Sequence, residues 1–216
     1  MKHLINVTAF LLAVFYLQAQ KYPDPEFTNE VYYLKKDSAH SLVRLEKTSA
    51  KLEGKSKGAG FGGYENGYVL DGDKSAVRFS NGTNVSFVFA TGTAAAGSSI
   101  SAAQRDSIMR ANGGDPSMMS GMSSMTDPAN TISLYKADLA KGKRKILMQK
   151  VGGAFGGGKV QSSDKYTFSV KKVRDGYWEL VVDKPLPKGE YAFTLASYMN
   201  AGAMDGSTTL FTFGID

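Results

Sequence analysis

Short strand-like runs separated by turn residues recur along the chain about every dozen residues, and they limit the possible folds more than any other feature. The clearest example is the segment YTFSVKKVRDGYWELVV at 166–182. Asp175-Gly176 is a dipeptide typical of tight hairpin turns, because glycine accepts a positive φ. On the first arm Tyr166, Phe168 and Val170 share one face and polar residues share the other. This alternation predicts a hairpin with one buried and one wetter face.

Eleven such runs predict an all-β chain. They span residues 31–35, 42–47, 67–70, 76–79, 85–89, 131–135, 145–151, 166–173, 177–182, 191–198 and 208–213. With little helical periodicity, the runs indicate an antiparallel β-sandwich or a single closed sheet, and their uneven lengths favour the sandwich. Hydrophobic residues make up 42% of the chain and charged residues 21%, as in ordinary globular domains. We therefore predict one β-sandwich domain over residues 20–216.

The first nineteen residues have the features of a signal peptide. A positive residue, Lys2, precedes the apolar run AFLLAVFYL at 9–17, and the small residue Ala19 follows. The run is too short to cross a bilayer, which takes about 20 apolar residues. We predict cleavage after Ala19, with Gln20 as the new terminus, and export to the periplasm, the cell surface or the medium. No later segment is apolar enough to cross a membrane.

Composition excludes several kinds of chemistry. The chain has no cysteine, so it has neither disulfides nor a cysteine nucleophile. Removal of the leader also removes His3 and leaves His40 as the remaining histidine, which excludes a multi-histidine metal site. The lysines are scattered through the strand-like runs. They fit either an anionic partner such as a polysaccharide or lipid headgroups, or the solvated face and protected edges of a sheet, and the second interpretation is favoured.

One segment, 93–129, breaks the strand pattern. It is long and rich in alanine, glycine, serine and methionine, and residues 98–111 are predicted to form a short helix that ends at Asn112-Gly113. The rest is predicted to be loop. Long loops in compact domains are usually functional or disordered. We therefore treat 93–129 as an insertion and as the favoured binding surface of the predicted domain.

The insertion contains methionines at three-residue spacing, Met119, Met122 and Met125. Thioethers are soft ligands that select Cu(I) over hard cations, and the spacing resembles the methionine motifs of exported copper-handling proteins. The alternative is a flexible loop in which methionine is an adaptable contact residue.

Two glycine-rich segments resemble each other, at 58–63 and 153–160. The second nearly matches a phosphate-binding loop, but Val160 occupies the position that requires a Mg²⁺-binding hydroxyl. The segment also joins two predicted strands, whereas a phosphate loop opens a helix. Both segments are better interpreted as flexible or bulged strand connections. Their order along the chain does not fix their position relative to the insertion.

No residue is singled out for catalysis. His40 could serve a distant serine as base, but the chain lacks a G-x-S-x-G elbow. Asp71-Gly72-Asp73 fits a turn better than a Ca²⁺ loop, because further acidic residues are missing. Any two of six glutamates could form a glycosidase pair. These are Glu30, Glu46, Glu53, Glu65, Glu179 and Glu190.

The runs LPKGEYAF at 186–193, FGID at 213–216 and KSAVRF at 74–79 resemble a pattern in uncharacterised exported β-proteins of Bacteroidetes-type bacteria. The resemblance covers about half of the mature chain. It implies a periplasmic or cell-surface β-sandwich, and it assigns no catalytic residue.

These observations predict an exported, non-enzymatic β-sandwich that binds a partner or acts structurally at the cell envelope. The predicted partner is an envelope protein or a glycan, and we expect neither a nucleic-acid partner nor a cofactor. Two alternatives stay open: a hydrolase acting on an envelope or extracellular substrate, and a copper-binding protein that uses the methionine-rich loop.

Overall fold

The structure is a computed structural model, and it describes residues 22–37, 40–56, 62–80, 82–91, 128–152, 160–196 and 206–216. The predicted leader, the predicted helix at 98–111 and the methionine motif lie outside the described residues. No helix in the described part of the chain has the length and apolar character needed to cross a lipid bilayer.

The predicted fold class is confirmed: the described chain is nearly all β, with two antiparallel sheets packed against each other. Fourteen strands and one helical turn occur in the described residues. In chain order they are β1 (Val31–Lys35), β2 (Ser41–Arg44), β3 (Glu46–Ser56), β4 (Gly63–Asp71), β5 (Arg78–Phe79), β6 (Ser86–Ala90), α1 (Pro128–Thr131), β7 (Ile132–Ala140), β8 (Lys143–Gly152), β9 (Val160–Gln161), β10 (Lys165–Tyr166), β11 (Phe168–Arg174), β12 (Tyr177–Val182), β13 (Gly189–Leu195) and β14 (Ser207–Ile215).

The smaller sheet has the order β11-β12-β6-β1-β2. Its hairpin from β11 to β12 is the one predicted from the sequence, and Gly176 in its turn has a φ of 67°. Lys35 pairs with Ser41 in the predicted hairpin from β1 to β2. Local alternation and turn chemistry therefore suffice to place both hairpins.

The larger sheet closes on itself. Its order is β10-β7-β13-β14-β3-β4-β8-β9, and β7 also pairs with β8. That last pairing joins Asp138 to Lys145 and Ala140 to Lys143, so β7, β13, β14, β3, β4 and β8 form a ring of six strands. The ring is called the closed sheet below. Closure removes the exposed edges of the sheet where β7 and β8 pair, whereas β9 and β10 are its outer strands beyond that pairing.

Three buried hydrophobic clusters of described residues result from this arrangement, and one of them lies on the face of the smaller sheet that points away from the closed sheet; it contains Tyr32, Leu34, Val88, Ala90 and Tyr177. On β14, Phe211 and Phe213 face the smaller sheet and pack with Phe87 and Phe193, whereas Leu210 faces into the closed sheet. Strands β13 and β14 are thus buried on both faces, which explains their nearly continuous apolar sequence. The interior of the closed sheet is narrow and is filled largely by small and branched side chains. Its buried members are Ala50, Tyr68, Leu70, Ala137, Ile146, Ala192 and Leu210.

Three sequence predictions were wrong in extent. The run predicted as one strand at 166–173 is divided between the sheets: Tyr166 on β10 pairs with β7, whereas β11 begins at Phe168 and pairs with β12. The run predicted as one strand at 42–47 is divided between the sheets: β2 ends at Arg44, Leu45 is buried, and β3 begins at Glu46. This crossing explains the imperfect alternation there. The rest of β3 was missed, because Ala50 is its one fully buried side chain and the other residues are mostly polar and exposed. The strand predicted at 76–79 is short, with β5 covering Arg78–Phe79.

Candidate functional site

Among the described residues, the motifs singled out by sequence are not brought together into one site. Met119, Met122 and Met125 lie outside the described residues, as do 57–61 and 153–159 of the glycine-rich segments. Val160 begins strand β9, where a phosphate loop would begin a helix. His40 lies in the turn between β1 and β2, with its ring centroid 5.9 Å from that of Tyr22. In the described ranges, no three His, Cys, Asp or Glu side chains are grouped as a metal site.

The six glutamates are all in ion pairs, and each lies with a different basic partner. The pairs are Glu30 with Arg44 and Lys47, Glu46 with Arg144, Glu53 with Lys55, Glu65 with Lys145, Glu179 with Lys36, and Glu190 with Arg78. Burial alone would raise the pKa of Glu46. Hydrogen bonds from Thr212, from the Ala76 amide and from Arg144 outweigh burial and leave the pKa below its ordinary value.

Two further glutamates behave in the same way. Burial alone would raise the pKa of Glu30 and of Glu179. Hydrogen bonds from Arg44 and Lys47 outweigh burial and lower the pKa of Glu30. Hydrogen bonds from Lys36 and Tyr22 do the same for Glu179. A general acid needs a raised pKa. Glu30, Glu46 and Glu179 are therefore unsuited to be the general acid of the hydrolase alternative.

The two ends of the closed sheet differ in what covers them. At one end, called the sealed end, the strands meet a buried network of charged side chains. Arg144 on β8 is 3% exposed, and its Nη1 donates hydrogen bonds to Ser75 Oγ at 2.6 Å, Thr212 Oγ1 at 3.1 Å and Glu46 Oε2 at 3.2 Å. Its charge is therefore compensated inside the closed sheet.

A second carboxylate continues this network. Glu190 on β13 is 3% exposed and accepts hydrogen bonds from the Ser75 amide and hydroxyl, each at 2.7 Å, and from Arg78 Nη1 at 2.5 Å. Arg78 also donates to Asp216 at 2.6 Å. Gly214 leaves room for this arginine, because a Cβ atom there would overlap Nη1 and lie 2.6 Å from Cζ. Residues 72–79 are thereby fixed across the sealed end.

The opposite end, called the loop end, carries the connections that the sequence singled out. Strands β3, β8 and β13 end there, and β4, β7 and β14 begin there: Gly63 pairs with Gly152, and Leu195 pairs with Ile132. Residues 57–61, 92–127, 153–159 and 197–205, all outside the described part, each lead into or out of a strand at this end. The ends of both glycine-rich segments and the end of the insertion therefore lie on one side of the closed sheet.

The loop end also exposes apolar side chains. Leu52, Tyr64 and Val160 are 48%, 42% and 65% exposed. Residues that pair across neighbouring strands point to the same face of a sheet. Leu52 pairs with Tyr68, which is buried inside the closed sheet, so Leu52 lies on the inner face. Tyr64 lies on the same face of β4 as Tyr68; it pairs with Val151, and Val151 pairs with Val160. The inner face here is thus apolar and open to solvent.

Three buried polar atoms on the inner face have no hydrogen-bond partner among the described residues. Asn66 Oδ1 and Thr208 Oγ1 lie toward the loop end, and Arg144 Nε lies at the sealed end. Asn66 pairs with Gly54, and Thr208 pairs with Ala50, so both belong to the inner face. Buried polar atoms without a partner are rare in folded proteins and often mark a place for water, an ion or a ligand.

Sequence reasoning missed Tyr64 and Asn66 because the predicted strand began at residue 67. Tyr64, Asn66, Tyr68 and Leu70 alternate in the sequence and occupy one face of β4. That alternation could have extended the predicted strand toward its true start at Gly63. It could not have shown which strands face this one.

Comparison with protein-family models, with curated proteins and with solved structures finds no match.

Proposed function

We propose that the chain is an exported, non-enzymatic protein of the cell envelope that binds a glycan or an envelope protein through the loop end. The observation that carries this proposal is the contrast between the two ends of the closed sheet. Arg144 and Glu190 form buried ion pairs at the sealed end, whereas Leu52, Tyr64 and Val160 are exposed at the loop end.

The scaffold suits such a role. Binding residues are commonly carried by loops on a rigid β framework. The closed sheet supplies that framework, and the long segment 92–127 rejoins it at the loop end through α1 and β7. Glu30, Glu46 and Glu179 have lowered pKa values, so none of these three suits the general acid of a hydrolase.

Export is proposed from the order of charge, apolar run and small residue in the first nineteen positions. N-terminal sequencing of the protein recovered from the envelope or medium of the source cells tests it. We expect the first residue to be Gln20. An intact leader on the folded protein in the cytoplasm would contradict the proposal.

Envelope binding is tested with tagged mature protein and washed envelopes from the source cells in a sedimentation assay. Val160→Ser changes an exposed apolar residue at the loop end. Leu139→Ser is the matched control, because Leu139 is 57% exposed and lies at the sealed end. We expect the first variant to lower the bound fraction severalfold and the control to leave it unchanged.

Two results would contradict the proposal. One is an equal effect of both substitutions, which would mean that general surface hydrophobicity drives sedimentation. The other is no retention of the unaltered protein on envelopes.

A further inference from the structure

We infer that the inner face of β3 and β4 at the loop end binds a neutral carbohydrate, with the Tyr64 ring as a stacking platform and Asn66 Oδ1 as the acceptor for a sugar hydroxyl. This inference rests on the proposed function, since it specifies the ligand of the same end.

The platform lies where the closed sheet is incomplete. Strand β14 begins at Ser207, which pairs with Lys51, while β3 continues to Ser56. Tyr64 pairs with Ser56 and Asn66 with Gly54 in this extension. The inner face of the extension thus continues beyond the first residue of β14.

Tyr64 lies across the backbone of β3. A Cβ atom placed on Gly54 would lie 3.2 Å from Tyr64 Oη and 3.6 Å from its Cε2, so glycine at this position makes room for the ring. The residue is nevertheless 42% exposed. A tyrosine held against glycine with much of its surface in solvent offers a fixed apolar face to the C–H groups of a pyranose ring.

Asn66 supplies the polar complement beside this platform. It is two positions from Tyr64 on the same face of β4, and its Oδ1 is buried without a hydrogen-bond partner among the described residues. The residue as a whole is partly exposed, so rotation of its side-chain amide would bring this oxygen to a ligand hydroxyl that donates to it. A purely apolar ligand would leave the acceptor unsatisfied, which disfavours binding.

The inner face at this end selects against charged ligands. All of its described members are uncharged, so it offers neither a cation for an acidic sugar nor an anion for a basic one. These residues are Leu52, Gly54, Ser56, Tyr64, Asn66, Gln149, Val151, Val160 and Thr208.

The competing explanation is structural: Tyr64 shields the backbone at Gly54, and a water molecule satisfies Asn66. The two explanations differ in what the variants do to sugar binding. Tyr64→Ser removes the ring, and Asn66→Leu fills the same volume without an acceptor; a structural role predicts that neither variant changes sugar binding. Tyr64→Phe keeps both the ring and the shield, so it is a control under either explanation.

The experiment screens the mature protein against neutral oligosaccharides built from glucose, galactose, mannose or N-acetylglucosamine. Saturation-transfer difference NMR at millimolar sugar finds a ligand, and calorimetry measures its affinity. We expect Tyr64→Ser and Asn66→Leu each to weaken binding about tenfold. Tyr64→Phe and the control Leu139→Ser should stay within threefold of the unaltered protein. Circular dichroism and urea midpoints establish that each variant is folded.

Two results overturn the inference. One is a sugar affinity that neither Tyr64→Ser nor Asn66→Leu changes, and the other is no binding of any sugar of the panel. If envelope retention still depends on Val160 in that case, the proposed function stands with a protein partner. If retention does not depend on Val160 either, both proposals fall.

Discussion

Replacing Arg144 with methionine tests whether the charged network at the sealed end stabilises the fold. Methionine keeps an unbranched apolar stem in the closed sheet but removes the charge and the donors to Ser75, Thr212 and Glu46. Breaking a buried ion pair by removing one partner costs about 3–5 kcal/mol. The side chain of Glu46 is 25% exposed, and it keeps its hydrogen bond from Thr212 at 2.8 Å. We therefore expect a loss at the lower limit, about 3 kcal/mol.

Urea denaturation of a chain that begins at Gln20 measures this loss. Trp178 is the one tryptophan of the chain, and it packs partly buried against the core between the sheets, so its fluorescence reports unfolding. With a slope of about 2 kcal/mol/M, the expected loss lowers the urea midpoint by about 1.5 M. Lys143→Met is the control, because that side chain is 49% exposed and its pair with Asp71 is solvated. The control should change stability by no more than about 0.5 kcal/mol.

A double-mutant cycle with Glu46→Gln separates the ion pair from other effects of the substitutions. We expect the double variant to be about 1–2 kcal/mol more stable than the sum of the single losses predicts, because it leaves no unpaired charge. Additive losses, or an Arg144→Met variant within about 0.5 kcal/mol of the unaltered protein, would refute the reasoning about this network.

Three further predictions concern other parts of the molecule. Gly214→Ala should destabilise the protein by about 1–3 kcal/mol, because the new methyl group overlaps Arg78. A urea midpoint equal to that of the unaltered protein would show that the arginine moves away at little cost. The free energy of unfolding should fall as the pH drops below the ordinary glutamate pKa of 4.5. Three glutamates have lowered pKa values in the folded state, so the unfolded chain takes up protons first. Urea midpoints that stay constant down to pH 3 would contradict this. Cu(I) titration against a competing chelator tests the methionine motif, and an unchanged affinity after leucine substitution would remove the copper hypothesis; the substituted residues are Met119, Met122 and Met125.

Part of the candidate site could be predicted from the sequence. The glycine-rich segments and the insertion were singled out as unusual connections, and the structure brings their strand ends to the loop end of the closed sheet. Tyr64 and Asn66 were missed because their strand also contains charged and glycine residues. The charged residues at the sealed end were equally hidden. Glu190 and Arg78 stand in runs noted for resemblance, but nothing in those runs indicates that the two side chains meet.

The sequence by itself determined the all-β class and the two hairpins, because alternation and turn residues act between near neighbours. Tertiary structure alone decided that β7 meets β8 to close the larger sheet, and that polar β3 becomes a central strand of it. Period-two patterns state which side of a strand is apolar, but they do not state which distant strand will pair with it. Burial of Arg144 and exposure of Tyr64 both follow from that long-range pairing.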